Sequence, residues 1–119
     1  MSERTGIYTQ DNMALFEEFK KLEIKIGSVI SAEKVEGTDK LVKLIFDIGG
    51  EQRQILAGIA EFFPDLSLLV GRQMPVIVNL EPKMLKGHES QGMILAVDVG
   101  GKPVLLRPEN QVPPGSAVR

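Results

Sequence analysis

The stretch Lys40-Leu-Val-Lys-Leu-Ile-Phe-Asp-Ile-Gly-Gly-Glu-Gln-Arg-Gln-Ile-Leu-Ala-Gly-Ile-Ala-Glu-Phe-Phe-Pro64 holds two strands, a tight turn and a short helical segment. Val42, Leu44, Phe46 and Ile48 alternate with other residues, the period of two that marks a strand with one face buried. Gly49-Gly50 supplies the positive φ values of a tight hairpin, and Glu51–Ala57 returns as the partner strand. Gly58–Phe63 reads as a short helix ended by Pro64, with Phe62 or Phe63 placed to plug one end of a barrel.

Outward from this hairpin the strands continue. Leu22, Ile24 and Ile26 alternate with Glu23, Lys25 and Gly27, so a first strand is expected there. It should bend at Gly27 and run on toward Val35, with Glu36-Gly37-Thr38-Asp39 as the turn into Lys40. Arg72–Leu80 is expected as a fourth strand, and Pro75 inside it implies an edge or bulged position. Met93–Val99 and Lys102–Leu106 form a last hairpin over Gly100-Gly101, and Pro113-Pro114-Gly115 closes the chain in an extended tail. Many short strands with glycine corners predict a small closed barrel or sandwich. The short helix between the third and fourth strands favours an all-β, five-stranded oligonucleotide-binding barrel. Residues 1–10 are polar and expected to fray, leaving 11–119 as the domain. Asp11 or Asn12 would cap a helix running to Lys20, with Leu15, Phe16 and Phe19 on its apolar face. So short a helix is marginal alone, so it should dock on its own barrel or on a partner subunit.

Bulk properties narrow the function. The chain has 119 residues, 43% hydrophobic and 25% charged, with no cysteine and a single histidine. That fits one domain with a core, without disulfides or a thiolate metal site. His88 has no second histidine to complete a zinc site, and Ser90 is too near it in sequence to serve as a nucleophile on a separate element. No residue set suggests catalysis, a metal or a cofactor. No apolar run approaches a bilayer span, and no secretory signal is evident, so the expected location is the cytoplasm. The formal charge of -2 argues against a strongly basic nucleic-acid binder. An RNA contact would have to rest on a local cluster and be salt-sensitive. The scarcity of rings (no Trp, one Tyr, five Phe) argues against base-by-base stacking.

One segment has the right composition for such a cluster. Asn79-Leu-Glu-Pro-Lys-Met-Leu-Lys-Gly-His-Glu-Ser-Gln-Gly-Met93 sets amides, a hydroxyl and two ammonium groups between the greasy runs Met74–Leu80 and Met93–Val99. Lys83 and Lys86, three residues apart, could act as paired phosphate ligands. On spacing alone a solvated loop is the simpler reading, because Glu81 and Glu89 offset their charge. Asn79 could end the strand through its amide, and Ser90 could satisfy local backbone groups; either could instead meet a ribose or phosphate. Lys40, Arg53 and Gln54 could extend a basic stripe, or form an ordinary polar sheet face. Met84 and Met93 could touch a base or fill the core.

These residues carry a family resemblance. Leu22-Glu-Ile-Lys-Ile-Gly27, Asp39-Lys-Leu41 with Lys43-Leu44 and Asp47, Arg53-Gln-Ile-Leu-Ala-Gly-Ile59, the Asn79–Met93 segment and Pro113-Pro-Gly115 resemble the tRNA-binding domain of methionyl-tRNA synthetases. That domain occurs at the C-terminus of the enzyme, as a separate beta subunit and in small free-standing proteins. The domain of endothelial-monocyte-activating polypeptide is similar. The resemblance implies an oligonucleotide-binding barrel that recognises the shape and backbone of tRNA and catalyses nothing. It places Asn79, Lys83, Lys86, Ser90 and Met93 in an RNA-contacting loop, with Arg53 and Gln54 near it. It also implies a homodimer through terminal elements, which Leu15, Phe16 and Phe19 would suit, and a synthetase catalytic subunit as a possible partner. A chaperone-like protein-binding module of the same barrel superfamily is the alternative.

Overall fold

The computed structural model describes residues 12–119. The expected tail over residues 1–10, and Asp11 as a cap, lie outside the described residues. A short helix α1 (Phe16–Lys20) leads into β1 (Ile24–Lys34), β2 (Val42–Asp47) and β3 (Gln52–Ala57). Two 3-10 turns, Ala60–Phe62 and Leu66–Leu69, connect to β4 (Gln73–Ile77). Then come β5 (Lys83–Leu85), β6 (His88–Ser90), β7 (Met93–Ile94), β8 (Ala96–Val99), β9 (Lys102–Leu105) and β10 (Ala117–Val118). The main sheet has the order β3-β2-β1-β4-β7, with β10 added to β1, and it curls into a nearly closed barrel.

The alternation in the opening stretch does what its period requires. Val42, Leu44, Phe46 and Ile48 are buried, and with Ile55, Val29, Met74 and Val76 they form the core. Gly49 and Gly50 have φ of 77° and 99°, and Asp47 Oδ1 accepts from the Gly49 N–H at 2.8 Å. Phe63 packs against the core while Phe62 is exposed, so one of the two candidate rings reaches the barrel interior. Leu69, from the second 3-10 turn, is fully buried beside it.

Three expectations are corrected. The first strand does not bend at Gly27. Its pairing with β2 slips between Val29 and Ser31, so the extra residue is Ile30, which is exposed; a bulge of this kind bends and twists its strand. Gly27 is instead a point of close packing. A Cβ there would lie 2.7 Å from the Phe46 ring and 2.9 Å from Ile48. Second, β4 is not an edge strand, since it pairs with β1 on one side and β7 on the other. Pro75 is tolerated because of its register. It lies opposite Ile26, between the bonds Val29 N to Arg72 O and Val78 N to Glu23 O. The alternation of antiparallel ladders turns its nitrogen away from β1, toward the β7 side, where its carbonyl still accepts from Leu95 N at 3.1 Å. Third, the Pro113–Gly115 tail is not left extended. Gly115 N donates to Ile26 O at 2.7 Å, Ile26 N donates to Ser116 O at 2.9 Å, and β10 pairs with the start of β1. Gly115 (φ 89°) abuts the turn, where a Cβ would fall 2.3 Å from Ile48 O.

The helix is also shorter than expected. It begins at Phe16, with the Leu15 N–H donating to the Glu18 carboxylate at 2.8 Å. It does not bury its apolar side on the barrel: Leu15, Phe16 and Phe19 are 66%, 68% and 46% exposed. Together with Leu22, Ile24 and Val118 the two rings line an open groove of about 640 Å³.

Candidate nucleic-acid interface

The segment from Asn79 to Met93 is not a plain loop. Lys83–Leu85 and His88–Ser90 pair as a two-stranded hairpin, in register Lys83 with Ser90 and Leu85 with His88. Its turn, Lys86-Gly87, has φ of 50° and 81°, the two positive values a type I′ turn demands. Lys86 is the sole non-glycine with positive φ among the described residues.

Side chains and a single main-chain bond, rather than a ladder, fasten this hairpin to β3 and so close the barrel. Ser90 is 5% exposed. Its Oγ accepts from Leu56 N at 3.0 Å and donates to Gly92 O at 3.2 Å. Gln91 Oε1 accepts from Gln54 N at 3.0 Å, and Gln91 N donates to Gln54 O at 2.7 Å. The Gln54 amide donates to Glu89 O at 2.9 Å. Arg53 Nη1 donates to Val78 O at 2.6 Å and Gln91 O at 3.3 Å, while Glu51 holds the rest of its guanidinium. Asn79 does a similar job at the other end. Its Oδ1 accepts from Glu23 N at 2.7 Å and its Nδ2 donates to Lys21 O at 2.5 Å, which fixes where α1 joins β1. Asn79 and Ser90 thus do satisfy backbone groups, but chiefly those of remote segments rather than the local ones foreseen, and Arg53 and Gln54 belong to the same seam.

The lysines behave differently. Lys40, Lys83 and Lys86 are exposed, and among the described residues none of their ammonium groups has a hydrogen-bonded or ion-paired partner. Glu81 and Glu89 pair with none of them. The fold sets these lysines on the segments that flank the end of β3. Lys40 lies in the β1–β2 connection, its carbonyl accepting from Ala60 N just past β3 at 2.9 Å. Leu56 bonds through its N–H to Ser90, which lies opposite Lys83, and Lys86 sits at the hairpin tip. Lys43, quoted in the sequence only within the family motif and not as a site residue, lies on β2 directly opposite Leu56. It points outward, because its neighbours Val42 and Leu44 point in. Its place in the alternation was the available signal. Met93 is exposed at the base of the hairpin, paired with Ile77, and Met84 is exposed on the face opposite Lys83. The arrangement suits a polyanion: exposed, unpaired ammonium groups on a hydrogen-bonded barrel shoulder, with few rings for stacking. The face of the second and third strands, flanked by these two connections, is where barrels of this fold hold oligonucleotides.

The hairpin seam has a direct test. Ser90→Ala leaves the buried Leu56 N–H and the Gly92 carbonyl without this partner, a loss of about 1–3 kcal/mol. Urea unfolding should show it; a midpoint equal to that of the unsubstituted chain would contradict the role given to this hydroxyl.

Comparison with known proteins agrees with this geometry. A family described as "Putative tRNA binding domain" matches residues 24–117. The methionine–tRNA ligase of Methanothrix thermoacetophila is 50% identical over 104 residues, covering 87% of this chain and 15% of that enzyme. The enzyme of Archaeoglobus fulgidus is 53% identical over 102 residues, covering 86% and 15%. The chain thus spans a small part of the length of these relatives. Among solved structures, a MetRS related protein from Pyrococcus horikoshii is 42% identical with a TM-score of 0.82, covering 90% of this chain and 100% of that one. The chaperone CsaA of Bacillus anthracis is 32% identical with a TM-score of 0.80, covering 90% and 99%.

Proposed function

The chain belongs to the tRNA-binding domain family, a tRNA-binding module rather than a catalytic one, and we propose on that premise that it grips tRNA by shape and backbone. Lys40, Lys43, Lys83 and Lys86 contact phosphates, and Met84 or Met93 packs against an exposed base or sugar. Asn79, Ser90, Arg53 and Gln54 hold the shoulder that carries them. The observation that supports this most is the set of lysines with unpaired ammonium groups on the segments that flank one end of β3, on a chain whose total charge is negative. Phosphate contacts give register and affinity without sequence information, so different tRNAs should bind alike. The module works beside a methionyl-tRNA synthetase, as its C-terminal domain or beta subunit, or as a free-standing homodimer joined through Leu15, Phe16 and Phe19.

Titration of whole tRNA over a salt series tests the reading. Four phosphate contacts at about 0.9 each give a slope of log K against log salt of about -3 to -4. No binding at micromolar protein in low salt, or a salt-insensitive signal, would sink it. The exposed groove beside α1, with the likeness to a chaperone, favours a second reading as a protein-binding module. Suppression of client aggregation without tRNA affinity would select that one.

A further inference from the structure

A second concave site lies away from the lysines. The segment Val70–Met74, leading into and opening β4, faces the segment from Leu105 to Gln111, and between them is a cleft of about 630 Å³. That is within the size range of small-molecule sites. The cleft is built in advance of any ligand. The buried Gln73 amide donates to Val112 O at 2.7 Å and to Ser28 Oγ at 3.0 Å, and its oxygen accepts from Val112 N at 3.0 Å. This amide pins the far wall to the sheet.

Two guanidinium groups line the cleft. Arg72 Nε donates to Leu68 O at 3.2 Å, which holds the side chain while leaving both terminal nitrogens free. Arg107 has no hydrogen bond or ion pair with any described residue. Both are exposed, on separate segments. Glu109 is the one carboxylate on the lining, and Arg72 and Arg107 outnumber it. Val70, Leu106 and Pro108 give apolar wall.

We propose that this cleft binds a ribonucleoside 5′-phosphate, through Arg72 and Arg107 on the phosphate and Glu109 on the ribose hydroxyls. A phosphomonoester dianion can engage two guanidinium forks, each matching its oxygens bidentately. A carboxylate beside two arginines would repel a bare anion but accepts hydrogen bonds from a vicinal diol, as acidic residues do in nucleotide sites. The apolar wall takes the base. The same chemistry is offered by a free mononucleotide and by the 5′-phosphorylated end of an RNA; only the second source rests on the tRNA-binding reading.

The test follows side-chain and backbone N–H resonances of the full chain, titrated with AMP, with adenosine and with a short RNA bearing either a 5′-phosphate or a 5′-hydroxyl. AMP should shift the Arg72, Arg107 and Gln73 signals saturably, at roughly millimolar concentration or below, and adenosine should not. Arg107→Ala should weaken this at least about tenfold, while Lys83→Ala with Lys86→Ala leaves it intact. A preference for the 5′-phosphorylated RNA adds the RNA end as a source; equal response to both RNAs with AMP binding retained leaves the free nucleotide. No saturable shift with AMP, or shifts that persist in Arg107→Ala, would overturn the site. Because these signals are read apart from Lys83 and Lys86, failure here and failure of the tRNA titration are distinguishable.

Discussion

Reversing Lys83 and Lys86 together, as Lys83→Glu with Lys86→Glu, should lower tRNA affinity by roughly one hundredfold at moderate salt. The estimate follows from two lost phosphate contacts plus repulsion by two new carboxylates, about 3 kcal/mol in all. The slope of log K against log salt should become shallower by about 2. All tRNAs should suffer alike, because phosphate contacts carry no sequence information. Stability should hardly change, within about 0.5 kcal/mol, since both side chains are exposed and unpaired. Lys86→Gly sharpens the test. Lys86 occupies φ of 50°, a region glycine enters without steric penalty, so this change keeps the turn and removes one charge. It should shift the slope by about 1. Retention of full affinity in the double reversal would remove the hairpin from the interface. A loss confined to one tRNA would replace backbone recognition with base reading.

What the sequence made legible was whatever a local period could carry. The β2–β3 hairpin, with its buried Val42, Leu44 and Phe46 and its glycine turn, folds as its alternation predicts. The last hairpin keeps its Gly100-Gly101 turn, with φ of 58° and 84°, but the strand expected over Met93–Val99 is split: Met93–Ile94 joins β4 in the main sheet and only Ala96–Val99 pairs with β9. The β5–β6 hairpin was hidden for two reasons. Three-residue strands are too short for a period to show, and its type I′ turn uses Lys86-Gly87 where Asn-Gly or Asp-Gly would have been the signal. The seam residues were hidden more deeply. That Ser90 and Gln91 meet Leu56 and Gln54 depends on which strand edges the curled sheet brings together, 34 or more positions apart. Polar residues that close a barrel and polar residues that meet a ligand have the same composition, so the sequence could name the segment without dividing its labour. The division is by hydrogen bonding: amides, hydroxyl and guanidinium are engaged, while the ammonium groups are not.

That division makes the other large effect one of assembly. On the proposed homodimer, Phe16→Ser with Phe19→Ser should convert an assembly of twice 13.1 kDa to a monomer in sedimentation. The rings are 68% and 46% exposed beside an apolar groove that continues onto Ile24 and Val118. Covering them is worth roughly 2–3 kcal/mol per ring at about 25 cal/mol per Å². Two rings in each of two protomers make the substitutions cost several orders of magnitude in dimer affinity. The fold of the monomer should survive, because neither ring belongs to the core. The orientation of α1 is preset by the Asn79 bonds to Lys21 and Glu23 and the groove floor by β10 on β1, so little ordering remains to be done on association. The proposed dimer would present two lysine shoulders to one tRNA. The second contact then forms at an effective concentration on the order of millimolar, and avidity can exceed single-site affinity by about a hundredfold or more. The monomeric variant should accordingly bind tRNA at least about tenfold more weakly while keeping the per-shoulder response to Lys86→Gly. An unsubstituted chain that sediments as a monomer at tens of micromolar would refute the interface. A monomeric variant with unchanged tRNA affinity would refute the coupling between assembly and grip, and would leave each barrel acting by itself.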